Sequence, residues 1–295
     1  MKFRKLLIIP AICGMVFVSC EKDNDTNNAE VADTNEVTTG SLETLGVNTD
    51  LTPTNLDQAT LDLIASKHLS PIGAQEELRY LPDGTSEKAI RIEGDIVMTK
   101  AELEELEFNG YSNENAQYST NALVSPQTIT IIGYTGGSQA LTSSEQTALQ
   151  WAVNNYNALS GVSISFQLTF GTNYSNKDMV VYHNPSQSGA GGSAGFPENG
   201  NPYKWVQIYG LDNYDTNVVE HVITHEIGHS VGFRHTDWFN RASCGQNVNE
   251  GAGSIGAIDL GGNSPETSVM LACFSSNEDG EFGVSSSTGE TVITA

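Results

Sequence analysis

The eleven-residue segment His225-Glu226-Ile227-Gly228-His229-Ser230-Val231-Gly232-Phe233-Arg234-His235 constrains this chain more than any other stretch. Two histidines four residues apart project from one face of a helix, so both imidazoles can grip one ion. Glu226 is rotated off that face yet stays near enough to reach a water at the ion. A single helix cannot supply a third ligand, so the chain must turn. Gly232, three residues after His229, takes the positive φ that ends a helix, and His235 swings back three residues later. Three protein ligands with a fourth position open are what catalytic zinc requires. His221 could share the face of His225, but three ligands suffice. His221 and His183 therefore read as ordinary structural histidines, and His68 falls in a stretch without pattern.

The elements around this segment read as α+β. Gln127 to Gly133, with Ile129, Ile131 and Ile132, reads as a strand. Ser143 and Ser144 supply capping oxygens for a helix in which Leu149, Ala152, Tyr156 and Leu159 recur at helical spacing until Gly161. Val162, Ile164, Phe166, Leu168 and Phe170 alternate, the pattern of a half-buried strand. Met179 to Tyr182 is a third, apolar strand. Gly191 to Phe196 and Trp205 to Tyr209 bracket a Pro/Gly/Asn turn as a hairpin. The helix that carries the histidines begins near Asn217.

Charge and the amino-terminal stretch set the compartment. Lys+Arg 13 against Asp+Glu 36 gives a net charge of -23, which repels phosphate backbones and excludes nucleic acid as a partner. The apolar run Leu6 to Val18 has thirteen residues, short of the roughly 20 that a bilayer requires. With Lys2, Arg4 and Lys5 before it and Ser19-Cys20 after it, residues 1–19 read as a signal peptide. Phe17-Val18-Ser19-Cys20 resembles a bacterial lipobox, which implies cleavage before Cys20, lipidation of its thiol and anchoring to an envelope membrane; an ordinary signal peptide is the other reading. Residues 20–60 hold nine acids against Lys22 alone and read as a solvated, disordered tether. Cys13 leaves with the signal, so Cys244 and Cys273 are the remaining pair in an oxidising compartment. Their loop of 29 residues would contribute roughly 3 to 4 kcal/mol in the chain-entropy account.

The run His225 to Asp237, HEIGHSVGFRHTD, resembles the metzincin zinc endopeptidases, whose signature is HExxHxxGxxH, and looks most like the dual-action HEIGH metallopeptidases. The resemblance covers roughly residues 122 to 295. It implies a mixed twisted sheet, an active-site helix and a methionine turn beneath the metal, which Ser268-Val269-Met270 matches, although a methionine in an apolar stretch can also be plain core. Astacin-like members place a tyrosine two residues after that methionine, where this chain has Ala272. The family's domain closes with a long helix, and Ser287-Thr288-Gly289-Glu290 looks like its capping box. Gly191 to Pro197 looks like the edge strand that holds an extended substrate by strand addition.

Upstream, Ile92-Glu93-Gly94-Asp95-Ile96 is similar to the F-x-G-D stretch of astacin pro-segments, with Ile92 in place of Phe. The resemblance implies that Asp95 occupies the zinc's fourth position and keeps the precursor latent; a Gly-Asp in a common turn is the other reading. No cysteine lies between Cys20 and Cys244, which removes a cysteine latch. The expected organisation is 1–19 signal peptide, 20–60 lipidated tether, 61–120 pro-segment and 121–295 catalytic domain. The pro-segment is too thin in core residues to stand as its own domain, and the polar Ser112 to Thr120 is the expected cleavage site.

The expected chemistry is zinc-assisted hydrolysis of peptide or protein substrates, with Glu226 as general base. A zinc-bearing surface lipoprotein that binds without cutting is the alternative, against which the presence of Glu226 counts. Acids also outnumber bases in the catalytic part, but no EF-hand-like spacing supports Ca²⁺, and a solvated acidic face is the better reading.

Overall fold

A computed structural model describes residues 44–45, 54–106, 118–120, 122–250, 258–259 and 268–275. The signal peptide, Cys20, most of the tether and the Ser287 to Glu290 capping box lie outside the described residues. Among the described residues no helix is long and apolar enough to cross a membrane.

The catalytic part is built on a five-stranded mixed sheet. In chain order the elements are β4 (Thr128–Tyr134), α3 (Ser143–Ala158), β5 (Ser165–Gly171), β6 (Met179–His183), β7 (Gly191–Ser193), β8 (Trp205–Tyr209) and α4 (Thr216–Val231). The strand order across the sheet is β5-β4-β6-β8-β7, parallel throughout except for the antiparallel β7 at one edge. Strand β6 is buried on both faces, which explains why its sequence is an unbroken apolar run. One face packs Ile129 and Ile131 into the main core with Leu149 and Ala152 of α3 and Val222 and Ile223 of α4. The other carries Ile132, Tyr134, Val180 and Tyr182.

Local chemistry fixes where the helices begin. Thr142, one residue earlier than the expected serines, caps α3: its hydroxyl accepts from Glu145 N at 3.2 Å while Glu145 Oε2 accepts from Thr142 N at 2.7 Å. The helices α3 and α4 are joined by Asn155 Nδ2 donating to Glu220 Oε1 at 2.8 Å and by the Tyr156 hydroxyl donating to Thr224 O at 2.8 Å. Strand β5 departs from the alternation expected of it. Val162 and Ile164 precede the strand, Phe166 is buried, and Phe170 at the far end is 40% exposed. An edge strand lacks a neighbour on one side, and its burial fades where no helix covers it.

Residues 58–105 form α1 (Gln58–Ser66), a three-stranded antiparallel sheet of β1 (Gln75–Tyr80), β2 (Ser86–Ile92) and β3 (Ile96–Met98), and α2 (Lys100–Glu105). Helix α1, capped by Asp57, starts inside the stretch expected to be a tether. The apolar residues of this segment do not make a separate core. Ile64, Leu69, Ile90, Ile92, Ile96, Met98 and Leu103 belong to one cluster with apolar residues of the five-stranded sheet, α3 and α4. Arg79, fully buried, pairs with Glu87 at 2.7 Å and Glu102 at 2.9 Å and donates to the Tyr203 hydroxyl, which itself donates to Val97 O at 2.7 Å. Sequence reasoning had no signal for that network.

The β2–β3 hairpin also meets the sheet edge. Val97 N donates to Ala194 O at 2.6 Å and Ala194 N to Asp95 O at 3.1 Å, so the hairpin lies where an added strand would lie.

Candidate active site

Helix α4 ends where the glycine requires. Gly232 has φ 117° and its N–H donates to Gly228 O and His229 O. A Cβ there would stand 2.9 Å from Leu123 Cδ2 and 3.0 Å from Ala122 O, so the position needs glycine for space as well as for conformation.

The turn brings three imidazoles together. His229 Nε2 is 3.0 Å from His225 Nε2 and 3.2 Å from His235 Nε2. Each opposite ring nitrogen is committed elsewhere: His225 Nδ1 donates to Val269 O at 2.8 Å and His229 Nδ1 to Phe233 O at 2.8 Å. His235 Nδ1 faces both Glu250 carboxylate oxygens at 2.9 Å. A neutral imidazole that donates from Nδ1 presents a bare lone pair at Nε2. Three such lone pairs converging in a dry interior repel one another unless a cation lies between them.

The fourth corner is Asp95. Its Oδ2 lies 3.0 Å from His235 Nε2, 3.3 Å from His225 Nε2 and 3.8 Å from His229 Nε2. Ligand atoms at about 2.0–2.1 Å around a tetrahedral zinc are roughly 3.3–3.4 Å apart. The separations fit that figure, and the nitrogen and oxygen donors suit zinc. Asp95 Oδ1 and Glu226 Oε2 are also buried without hydrogen-bond partners, as groups directed at an ion and its ligands would be.

Glu226 is placed by the sheet edge. Burial, reinforced by the Asp95 charge, pushes its carboxyl well above the ordinary carboxylate range. Gly192 of β7 lies against it, and the Tyr209 hydroxyl donates to Gly192 O at 2.5 Å, fixing that strand.

Met270 lies beneath the helix. A Cβ on Gly228 would be 2.5 Å from the Met270 sulfur and 3.3 Å from the Tyr156 hydroxyl, so Gly228 is glycine because the thioether occupies its side-chain space. Thr236 N donates to Met270 O at 2.8 Å, tying the turn to the residue after His235. Cys244 and Cys273 are joined in a disulfide. Asp237 completes the same brace: Oδ1 accepts from Ala272 N at 3.0 Å and Oδ2 from Ser243 N at 2.9 Å.

Sequence reasoning missed Glu250, Glu93 and Arg234. Glu250 orients His235 and pairs with Arg241. Glu93 Oε1 accepts from Arg234 Nη2 at 2.8 Å, and burial pushes its carboxyl up to about 7 against the pull of Arg234. The one available signal was scarcity, since Arg234 and Arg241 are the only arginines after Arg91 in so acidic a chain. Outside the site, His183 Nδ1 pairs with Glu145 Oε1 at 2.8 Å and His221 is buried on α4.

A helix bearing two metal-directed histidines with a glutamate between them, a third histidine past a glycine turn and a methionine beneath define a metallopeptidase site on an α+β fold. The chain belongs to the dual-action HEIGH metallo-peptidase family, whose model matches residues 90–293. That match begins well upstream of residue 122 and takes in Glu93 and Asp95. Two solved structures of myroilysin are similar. One aligns at 16% identity over 63% of this chain and 90% of that one, with a TM-score of 0.34. The other aligns at 19% identity over 37% of this chain, spans 43% of that one and has a TM-score of 0.26. No curated protein matches the sequence.

Proposed function

We propose that this protein is a zinc endopeptidase made as a latent precursor, in which residues 61–120 are a pro-segment and Asp95 is the group that keeps the site closed. The observation that carries the reading is the position of Asp95 Oδ2, 3.0 to 3.8 Å from three imidazole nitrogens and so in the place a hydrolytic water needs.

His225, His229 and His235 would hold the zinc, which when bound would supply Lewis acidity toward the scissile carbonyl and a water acidified toward neutrality. Glu226 would act as the base that takes a proton from the attacking water and as the acid that returns it to the leaving amine nitrogen. Its confinement against Gly192 keeps the carboxylate within reach of both positions. Strand β7 offers its free edge to an extended peptide once the β2–β3 hairpin has left, and Phe196 packs edge-on against the His229 ring. Export and lipid anchoring through Cys20 complete the proposal and rest on the amino-terminal sequence.

The test compares three proteins on one peptide substrate: the full-length chain, its Asp95→Ala variant, and the full-length chain cleaved between Ser112 and Thr120. Cleavage and Asp95→Ala should each raise turnover from near zero. Equal activity of the intact and cleaved wild type would make residues 61–120 a spacer and end the latch idea.

A further inference from the structure

We propose that Arg234 forms a carboxylate-binding subsite of the active-site cleft, so that the processed enzyme prefers peptides with an acidic side chain within two residues of the scissile bond. The inference rests on the reading of residues 61–120 as a removable pro-segment. It adds a substrate class that neither the metal site nor the general base implies.

Arg234 has a side chain only 1% exposed. Its Nη2 donates to Glu93 Oε1 at 2.8 Å, its Nη1 to His68 O at 2.9 Å, and its buried Nε has no hydrogen-bond partner. Both bonds are made to residues of the pro-segment. When that segment leaves, the guanidinium loses its anion and its carbonyl together, in a pocket that Trp238 still walls at 6.0 Å from its ring. A cation built into such a wall is left with Nη1, Nη2 and Nε all unmet and selects for an anion that replaces the one removed.

The hairpin tip places this pocket beside the reacting bond. Glu93 and Asp95 stand two residues apart on one tight turn, with φ 55° at Glu93 and 95° at Gly94. Asp95 marks the reaction centre, and a carboxylate oxygen of Glu93 lies within 4.8 Å of a ring nitrogen of His235, so the pocket adjoins the metal site. Arg241 does not compete for the role. It also donates to the Glu93 carbonyl, at 3.0 Å, but keeps Glu250 as its own carboxylate within the catalytic part. The general field offers no alternative explanation for an acidic preference, because residues 121–295 alone carry 15 Asp and Glu against 4 Lys and Arg and repel acidic peptides at long range. A preference for them has to arise from a local contact.

The experiment uses the full-length protein with a specific protease site between Ser112 and Thr120, assayed after cleavage. Peptides carry Glu or Gln, in matched pairs, at each of the two positions on either side of the scissile bond. At one position kcat/KM should favour Glu over Gln by roughly 10- to 100-fold, the range of a charge-assisted hydrogen bond. Arg234→Gln should bring that ratio to near one, chiefly through KM, and Arg234→Lys should keep part of it. Because the ratio is taken within each protein, a loss of overall activity in a variant does not disturb it. A rise in activity on cleavage with equal kcat/KM for Glu and Gln at every position overturns this proposal alone, as does a ratio that persists in Arg234→Gln. No rise on cleavage overturns the pro-segment reading and this subsite with it.

Discussion

The Glu226 carboxylate rests against the backbone of Gly192: a Cβ at that glycine would stand 2.5 Å from Glu226 Cγ and 2.6 Å from Oε1. Real Cβ atoms do not approach so closely, so the base and the sheet edge are fitted to one another. Gly192→Ala should displace the carboxylate while leaving the three histidines in place. In the cleaved protein kcat should fall by about 10²-fold, since a misplacement near 1 Å costs that much in positioned catalysis. Zinc content should be unchanged, and unaltered kcat would show that Glu226 has room to spare.

Gly228 offers a test of packing against propensity. Alanine at a helix interior gains about 1 kcal/mol over glycine. Here the added methyl meets the Met270 sulfur at 2.5 Å and its Cε at 3.2 Å, and overpacking costs typically 1–3 kcal/mol. The second effect should win. Gly228→Ala is expected to lower the melting temperature of the zinc-loaded protein, and a higher one would mean that the methionine turn yields freely.

Glu250 holds His235 through Nδ1 at 2.9 Å from each carboxylate oxygen. Groups in this position raise ligand basicity and fix the ring. Glu250→Gln should weaken zinc binding by about 10- to 100-fold in a competition titration with a chelator. Affinity within twofold of wild type would remove Glu250 from the metal site.

The helix, its glycine stop and the returning histidine were legible in the sequence because each requirement is local. Spacing alone places His225 and His229 on one face, and a glycine at position 232 supplies the positive φ that ends the helix. The strands of the sheet were legible for the same reason, through runs such as Met179 to Tyr182. Glu93 was not, because its partner Arg234 is 141 residues away and the pairing exists only once the hairpin is docked. Residues 61–106 looked too poor for a core because their apolar side chains are completed by others: Ile92 and Ile96 count toward burial only beside the catalytic part. Glu250 carries no motif at all, and its place depends on a loop braced by Asp237 and the Cys244–Cys273 bridge.

His183 supplies a pH dependence remote from the metal. The hydrogen bond it donates to Glu145, opposed by burial and helped by the charges of Glu145 and Asp212, raises its pKa above the usual 6.5. A raised histidine pKa contributes stability that is fully present below the unfolded value and is lost as pH rises through the folded one. The melting temperature gap between wild type and His183→Gln should therefore be wider at pH 5.5 than at pH 8.5. A gap independent of pH would show that the pair forms no charged contact.

The most direct measurement of the central claim is made on Glu226→Gln, cleaved between Ser112 and Thr120 and loaded with zinc. Glutamine keeps the shape of the side chain and the contact with Gly192 but cannot accept the proton. Zinc should remain bound at one ion per chain, by metal analysis, while kcat on a peptide substrate falls by about 10² to 10⁴ relative to cleaved wild type. Full turnover in the metal-replete variant would contradict the account, because hydrolysis would then proceed without the base on which it depends.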